Sequence, residues 1–401
     1  MSDLTVVGGV YIERCIQPLW NSLYGSAGRA VSAVTSLVPG TTTLVAYIAE
    51  EVRNEAEYLA GMAGAVLEPQ PSRYAIAFDY LHPLSTPTIS PAVNRIEALP
   101  PLHVGGDVVL RYGMLEGEAV VDARTAVYDP QSAYGAKRFT ANGSRAERLA
   151  IVLNRYEAAS MTGESDPRTA ARWLLREEGA AAVVLKMGGH GALVVTPEGE
   201  AVVPLYRTEH VWKIGSGDVF SATFAALWGC RGMPPAEAAD LASRATAYYC
   251  DTRTLPVPSP EALRELPYPP VTPGHGLVYL AAPFFDLGQR WLVEEARALL
   301  MDLGAQVFSP VHEVGPGPAE IVAPEDIKGL EAADVVFAVL NGLDSGTVFE
   351  AGYAVNKRIP VVALAQNVKH EDLKMLVGTG CEVVDDFATA IYRTVWKLPH
   401  L

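Results

Sequence analysis

Several features that would narrow the function of this chain are scarce or missing. Only four of the 401 residues are cysteines, and no CxxC pair or zinc-type Cys/His spacing occurs, so neither a disulfide framework nor a structural metal site is expected. No apolar run approaches the roughly 18 residues that a membrane-spanning helix needs. The first residues also lack the basic and apolar regions of a signal peptide. A cytoplasmic location is therefore expected.

Positive charge is also in short supply. The chain has 31 Lys and Arg residues against 46 Asp and Glu residues, which gives a net charge of -15. This excess of negative charge is unfavourable beside nucleic-acid phosphates or an anionic membrane surface, so small-molecule partners are expected instead. Hydrophobic residues make up 49% of the chain and charged residues 19%, which excludes a disordered chain.

Proline marks a division of the chain. Residues 255–276 contain seven prolines, a composition typical of a stiff, extended linker. On both sides of it, apolar strand-like runs alternate with helical patterns, which predicts an α/β fold with two doubly wound domains. We predict a first domain over residues 1–265, a linker over 266–276 and a smaller second domain over 277–401.

The segment Gly215, Ser216, Gly217, Asp218 comes directly before an apolar helix. Small residues let a ligand approach the backbone, and a helix N-terminus offers free amides and a positive dipole end to a phosphate group. Asp218 in this position can accept a proton from an attacking hydroxyl, or it can simply cap the helix.

Two further patterns suit a nucleotide. Asn154 and Glu157 offer a neutral and an anionic oxygen to a hydrated Mg²⁺ with phosphates, although such pairs are also common on solvated faces. Gly188, Gly189 and Gly191 form a turn between two strand-like runs. They can lie against nucleotide phosphates or merely close a hairpin.

In this order, the three motifs resemble the ribokinase-like (PfkB) family of sugar and nucleoside kinases, over roughly residues 4–265. The resemblance implies a ribokinase-like fold and an ATP-dependent kinase. It implies that Asp218 is the general base, that Gly215–Gly217 form an anion hole, and that Asn154 and Glu157 organise Mg²⁺. The glycine turn would lie on the ATP side.

The acceptor end departs from that family. Glu13 stands where the family has Asp for sugar hydroxyls, and Ala30 replaces the usual Asn. Trp212, Lys213 and Ile214 stand where the family has oxygen ligands for a monovalent cation, so Lys213 could supply the charge. Two alternatives follow: the first domain is a kinase with an altered acceptor, or it binds a nucleotide without catalysis and regulates the second domain.

Three carboxylates stand out after the linker. Asp344 and Glu350 flank the turn from a predicted strand into a helix, and Asp326 is expected at the end of the preceding loop. Carboxyl ends of strands are where ligands bind in open α/β sheets. Carboxylates that share a crevice can act as acid and nucleophile on a glycosidic bond. The alternative is that these acids only cap helices on a surface.

The segments VYLAAPFFDLGQRW, VFSPVHEVGPG and DSGTVFEAGYA resemble the nucleoside 2-deoxyribosyltransferase family, over roughly residues 277–395. The resemblance implies a Rossmann-like (flavodoxin-like) domain in which Glu350 attacks C1′, Asp326 handles the proton of the base and Asp344 contacts the sugar. The aromatic residues expected to line the base pocket are Tyr279, Phe284 and Phe285. It also implies a homo-oligomer. The apolar bulk of Tyr392 and Trp396 in the C-terminal stretch suits a subunit interface, or else an ordinary terminal helix packed on its own sheet.

Together the two resemblances predict a bifunctional enzyme of nucleoside metabolism. Some relatives of the second family hydrolyse nucleoside 5′-monophosphates, but an anion at Asp344 disfavours a phosphate and favours a free nucleoside. Arg290 could bind a phosphate and keeps the nucleotide alternative open. A nucleoside sensor without catalysis is a third possibility, against which the three carboxylates count.

Overall fold

A computed structural model of the chain describes residues 2–272 and 274–400. It divides into two compact units, of which the first ends at Pro270 and the second begins at Val271. None of the helices in these residues is both long and apolar enough to cross a lipid bilayer.

The first unit is built from strands and helices in alternation. Its strands are β1 (Leu4–Val7), β2 (Ile12–Cys15), β3 (Trp20–Leu23), β4 (Thr42–Ala49), β5 (Val66–Ser72), β6 (Ala77–Tyr80), β7 (Thr88–Ser90), β8 (Leu102–Tyr112), β9 (Ala119–Asp129), β10 (Arg145–Asn154), β11 (Ala182–Lys186), β12 (Ala192–Thr196), β13 (Gly199–Val203) and β14 (Leu205–Tyr206). Its helices are α1 (Gly25–Val34), α2 (Arg53–Ala63), α3 (Arg155–Thr162), α4 (Pro167–Glu177), α5 (Ser216–Phe224), α6 (Pro235–Thr252) and α7 (Pro260–Glu265). A π-helical segment, Ala225–Cys230, continues α5.

Nine strands form the central sheet, in the order β13-β12-β11-β10-β9-β8-β1-β4-β5. All neighbours are parallel except the antiparallel pairs β11–β12 and β12–β13. Alternate residues of a strand enter cores on opposite faces, as Val6 and Val7 of β1 do. Burial on both faces explains the nearly continuous apolar runs of these strands, and the predicted doubly wound α/β class is confirmed.

The apolar run over residues 4–12 predicts one strand, but the chain makes two. Its first part is β1 in the central sheet, and its second part enters β2 of a separate four-stranded sheet, β3-β2-β6-β7. Gly8 and Gly9 lie at the crossing. A Cβ atom at Gly8 would come within 2.8 Å of Tyr112 Cβ, so the chain passes here only with small residues.

The second unit has its own all-parallel sheet. Its strands are β16 (Leu277–Ala281), β17 (Gln306–Phe308), β18 (Val335–Val339), β19 (Val361–Leu364) and β20 (Glu382–Val384); β15 (Pro270–Val271) lies at the division itself. Its helices are α8 (Leu287–Asp302), α9 (Pro310–Glu313), α10 (Ala319–Glu331), α11 (Ser345–Asn356), α12 (Lys374–Gly378) and α13 (Phe387–Val395). The strand order β17-β16-β18-β19-β20 is the flavodoxin-like order, which confirms the predicted class.

Two expectations for the second unit need correction. Asp326 lies inside α10 and not in a loop, because the helix begins earlier than the sequence indicates and continues through Pro324. Tyr392 is only 5% exposed and packs into the core of its own unit. Its side chain is therefore not available as the interface residue that the sequence suggested.

The second unit should fold without the first. Phe337 of β18 is fully buried among residues of the second unit, and the unit has helices and a complete sheet of its own. A fragment of residues 271–401 should show cooperative thermal unfolding by circular dichroism, and Phe337→Ala should lower its stability by about 3–5 kcal/mol. An insoluble or non-cooperative fragment would contradict this.

Candidate functional site

The first candidate site lies at the carboxyl ends of three adjacent strands. β9 ends at Asp129, β10 at Asn154 and β11 at Lys186. In open α/β sheets this edge is where ligands bind. The sequence analysis selected only Asn154; a polar residue at the end of an apolar run is the signal that could have identified the other two.

Asp218 lies in the first turn of α5. The residue before the helix, Gly215, has φ +74, a left-handed conformation that favours glycine. No side chain caps this helix, so the capping alternative for Asp218 is wrong. Its buried carboxylate instead accepts hydrogen bonds from Arg29 Nη1 at 3.2 Å and from Gln131 Nε2 at 2.7 Å.

Arg29, in α1, is the main functional residue that the sequence analysis missed. Its guanidinium is completely buried and donates from Nη1 to Glu13 Oε1 at 2.8 Å, from Nη2 to Glu13 Oε2, and from Nε to Tyr249 Oη at 3.1 Å. It also donates to Asp218. Burial disfavours the charged guanidinium, but Glu13, Tyr249 and Asp218 together outweigh burial and raise the pKa of Arg29 above its usual value. The guanidinium is therefore a permanent cation between two carboxylates.

This arrangement uses the residue that was predicted to bind the sugar acceptor. Glu13, expected to bind sugar hydroxyls, is 5% exposed and holds Arg29 with both of its oxygens. A Cβ atom at Gly215 would lie 2.1 Å from Arg29 Cζ, so this glycine leaves room for the guanidinium. The first residue of the predicted anion hole is thus packed against a cation of the protein itself.

A second cation lies beside the predicted anion hole. Lys186 Nζ donates to Asp129 Oδ2 at 2.6 Å and to Ser221 Oγ at 3.3 Å. A Cβ atom at Gly217 would be 3.5 Å from Lys186 Nζ. Burial disfavours the charge of Lys186, but the carboxylates of Asp129, Glu157 and Asp218 together outweigh burial and raise the pKa of Lys186. Lys186 can therefore contribute positive charge at the start of α5.

Lys213 and Ser216 meet through the backbone. The Ser216 amide donates to Lys213 O at 3.1 Å, so this amide of the predicted anion hole is already used. Burial raises the pKa of the Cys250 thiol to about 11, and the positive charge of Lys213 opposes this rise.

Asn154 and Glu157 form a capping box at the start of α3. Asn154 Oδ1 accepts from the amides of Tyr156 and Glu157, both at 2.9 Å, and Glu157 Oε2 accepts from the Asn154 amide at 2.8 Å. Burial and then the Asp129 carboxylate raise the pKa of Glu157 to about 7. Glu157 is therefore close to its ionisation midpoint at neutral pH.

These residues fit Mg²⁺ only in part. Within residues 2–272 and 274–400, no group of three or more His, Cys, Asp or Glu side chains is arranged to hold a metal ion. Mg²⁺ bound with a nucleotide usually needs one or two carboxylates, since phosphates and water supply the other oxygens. Glu157 has one oxygen outside the capping box for that purpose, whereas Asn154 Oδ1 already accepts two amides.

The glycine turn closes the β11–β12 hairpin. Gly188 and Gly191 have positive φ values of +58 and +76. A Cβ atom at Gly191 would lie 2.1 Å from Val203 O, so Gly191 is required by packing. A Cβ atom at Gly188 would meet nothing within 4 Å, and Gly189, beside it in the turn, is half-buried. The hairpin explains Gly191, and Gly188 leaves an open surface that a ligand could approach.

The second candidate site is centred on Glu350 of α11. Tyr279, on β16, donates its hydroxyl to Glu350 Oε1 at 2.6 Å. Burial, with smaller contributions from the Asp326 and Asp344 carboxylates, raises the pKa of Glu350 to about 7 in spite of the Tyr279 hydrogen bond. The predicted three carboxylates therefore lie close enough to act on one another.

The other predicted residues of this site have distinct surroundings. Asp344 caps α11, because its Oδ2 accepts from the Thr347 amide at 2.9 Å. Asp326 Oδ1 is buried without a hydrogen-bond partner, and burial raises the pKa of this carboxyl. The rings of Phe284 and Phe285 are 5.2 Å apart.

Tyr279, expected in the base pocket, is fully buried. Its ring stacks on Phe308 at 5.5 Å, and its hydroxyl faces Glu350. Phe285 is 74% exposed and is free to contact a ligand. Tyr279 thus supports the carboxylate, and Phe284 and Phe285 remain as candidates for base contact.

The Tyr279 hydrogen bond should hold down the pKa of Glu350. Tyr279→Phe removes a donor that stabilises the carboxylate, so the pKa of Glu350 should rise by about one unit. The measurement is a carboxyl titration by ¹³C NMR. The matched control is Tyr353→Phe, which removes a 2.6 Å hydrogen bond to the exposed Glu331 and should leave Glu350 unchanged. An unchanged Glu350 titration in Tyr279→Phe would contradict the role of this bond.

Two family models match the chain. The model of the pfkB family carbohydrate kinases matches residues 149–260, and the model of the nucleoside 2-deoxyribosyltransferases matches residues 278–387. The first range contains the capping box and the start of α5, and the second contains all three carboxylates of the second site. No curated protein matches the sequence significantly.

Solved structures similar to the chain are ribokinase-family kinases. A putative ribokinase from Agrobacterium tumefaciens has a TM-score of 0.50 at 14% identity, over 66% of this chain and 96% of that chain. Ribokinase from Thermotoga maritima has a TM-score of 0.47 at 18% identity, over 66% and 99%. Aminoimidazole riboside kinase from Salmonella enterica, in complex with aminoimidazole riboside and an ATP analogue, has 0.46 at 15% identity, over 66% and 98%.

At these identities only the fold is shared, and the Agrobacterium tumefaciens structure carries that likeness. Both resemblances noted from the sequence are confirmed: the chain joins a ribokinase-like fold that matches the pfkB carbohydrate kinases to a part that matches the nucleoside 2-deoxyribosyltransferases.

Proposed function

We propose that the chain is a bifunctional enzyme that acts on nucleosides. The second domain, residues 277–401, makes or breaks the N-glycosidic bond of a (2′-deoxy)nucleoside. The first domain, residues 1–265, transfers the γ-phosphate of ATP to a hydroxyl of a nucleoside or of the released sugar. The observation that carries the proposal is Glu350, a partly buried carboxylate oriented by Tyr279 and surrounded by acids instead of cations.

In the proposed reaction, Glu350 is the nucleophile. Tyr279 holds Oε1 and leaves Oε2 to attack C1′ of the sugar. The C1′–N bond breaks, a C1′–O bond to Glu350 forms, and the leaving base takes a proton from Asp326. Burial raises the pKa of Asp326, which is the direction that a general acid needs. Water or a second base then attacks C1′, its proton passes to Asp326, and the C1′–O bond to Glu350 breaks and releases the Glu350 carboxylate.

The remaining groups bind the substrate. The oxygen of Asp344 that does not cap α11 accepts a hydrogen bond from a sugar hydroxyl. Phe284 and Phe285 contact the base. An anion at Asp344 supports a free nucleoside over a nucleotide, since a phosphate would be repelled.

A nucleoside 5′-monophosphate is the alternative substrate. Arg290 is exposed and lies 5.8 Å from the centre of the Phe284 ring, beside the proposed base contact, where it could pair with a phosphate. Product analysis with matched nucleosides and 5′-monophosphates separates the two.

Replacing Glu350 should abolish base release. Glu350→Gln keeps the shape but removes the anion, so release of free base from a nucleoside panel, measured by liquid chromatography, should fall below detection. The matched control is Glu331→Gln, which removes an exposed carboxylate paired with Lys357 and should retain activity.

A 2-fluoro-substituted nucleoside should leave a sugar attached to Glu350, detected by mass spectrometry. Undiminished base release by Glu350→Gln would exclude Glu350 as the nucleophile.

In the first domain, Asp218 is the proposed general base. Tyr112 and Gln131 orient it, through Tyr112 Oη to Asp218 O at 2.9 Å and through the Gln131 amide. The transferred phosphate lies against the start of α5, formed by Gly215, Ser216 and Gly217, and against Lys186. Mg²⁺ bound to Glu157 and to the phosphates of ATP would neutralise the negative charge of those phosphates. Because Arg29 binds Asp218, an acceptor hydroxyl must displace this contact to reach the base.

The same contact favours a second candidate, in which the first domain binds a nucleotide and regulates the second domain without phosphoryl transfer. Both oxygens of the Asp218 carboxylate already accept hydrogen bonds, from Arg29 and from Gln131, so an acceptor hydroxyl must compete for them. Glu13 occupies the other side of the same cation and is equally unavailable to a sugar.

Product analysis with Mg-ATP and a panel of pentoses and nucleosides decides between them. If the first domain is a kinase, Asp218→Asn should retain ATP binding and lose about 10²–10⁴-fold in turnover, because an amide cannot accept the hydroxyl proton. The matched control is Asp240→Asn, whose carboxylate binds Tyr206 and Arg244. No turnover by the wild type, together with an ATP effect on base release, would support the regulatory candidate.

A further inference from the structure

A pocket of about 240 Å³ lies in the first unit beside the first candidate site, since Tyr112 and Gln131, which contact Asp218, are part of its lining. It is surrounded by residues 111–119 and 128–137. β8 and β9 are parallel neighbours, yet residues 113–118 join them without the helix that usually connects such strands. The pocket opens where irregular segments replace that helix.

Arg111, at the end of β8, lines this pocket and is 6% exposed. The hydrogen bonds of its guanidinium all go to neutral groups: Nη1 donates to Ser144 Oγ at 3.0 Å, to Phe139 O at 3.3 Å and to Asn142 Oδ1 at 3.5 Å. Its Nε is buried without a hydrogen-bond partner. Burial lowers the pKa of Arg111, in contrast to Arg29, which has two carboxylates.

Glu118 also lines the pocket, but both oxygens of its carboxylate are already bonded to other residues. Its Oε1 accepts from Lys137 Nζ at 2.5 Å and its Oε2 from Asn142 Nδ2 at 3.2 Å. Glu118 attracts the Arg111 charge only at a distance, because both of its oxygens are bonded to Lys137 and Asn142. Arg111 is therefore the cation of the pocket whose charge no directly bonded carboxylate compensates, and buried charges are costly unless they are paired.

We propose that this pocket binds a small organic anion, whose carboxylate or phosphate group pairs with Arg111 and whose body contacts Met114, Leu115 and Pro130. The volume is below the roughly 300–1,000 Å³ typical of pockets for drug-sized ligands, so a small anion fits it better than a nucleotide does. Gln131 lines the pocket and also donates a hydrogen bond to Asp218 Oδ1. A bound anion that moves Gln131 would therefore change the hydrogen bonding of the Asp218 carboxylate. The proposal requires neither phosphoryl transfer nor base release.

Isothermal titration of the full chain with phenyl phosphate, benzoate and neutral benzamide tests the proposal. At least one of the two anions should bind, at least about tenfold more tightly than benzamide, and the better anion identifies the group. Arg111→Gln should weaken that binding about tenfold or more. The matched control is Arg148→Gln, which removes a half-buried arginine outside the pocket and should leave the affinity unchanged.

A second variant covers the case in which Arg111→Gln disturbs the fold. Ala98 is an exposed residue of the pocket lining, and Ala98→Trp fills the pocket without removing any hydrogen bond of Arg111. It should melt at the wild-type temperature and lose anion binding. Anions that bind no better than benzamide, or an affinity that survives both substitutions, would overturn the proposal.

Discussion

A guanidinium without access to water must be neutralised by carboxylates held against it, and this requirement organises the first unit. Arg29 of α1 is bound by Glu13 of β2, Asp218 of α5 and Tyr249 of α6. Four elements from different parts of the chain thus converge on one cation. Loss of one partner from such a buried pair typically costs about 3–5 kcal/mol. The positions of the proposed base and of the predicted sugar-binding residue therefore depend on Arg29.

In the second unit, by contrast, the partly buried acid Glu350 is not paired with a cation. Around Glu350 the neighbouring charges are the carboxylates of Asp326 and Asp344, and the direct partner is the neutral hydroxyl of Tyr279. Burial and like charge then raise the pKa of Glu350 to about 7 instead of fixing it as an anion. A carboxylate near its ionisation midpoint suits covalent attack and release, whereas a carboxylate locked to arginine suits structure. The chain contains both solutions, and this difference makes the second site the firmer basis for a function.

Fusion of the two proposed activities has a simple physical benefit. If one reaction yields the substrate of the other, tethering raises the effective concentration of each site for the product of its neighbour. A released pentose is a possible phosphoryl acceptor, and a phosphorylated nucleoside is a possible glycosidic substrate. The Asp344 anion favours cleavage first, since it disfavours a phosphate in the second site.

The sequence by itself determined the fold class, because strands buried on both faces need continuous apolar runs and the helices between them need periodic ones. It also singled out Asp218, Glu157, Glu350, Asp326 and Asp344 as candidate site residues, since polar residues that follow buried strands or open helices are visible in one dimension. Tertiary structure alone decided what these residues touch. Arg29 meets Asp218 across 189 positions, and Tyr279 meets Glu350 across 71. Local patterns carry no information on such distant pairs, which hold Asp218 against a buried cation and bond the proposed nucleophile to Tyr279.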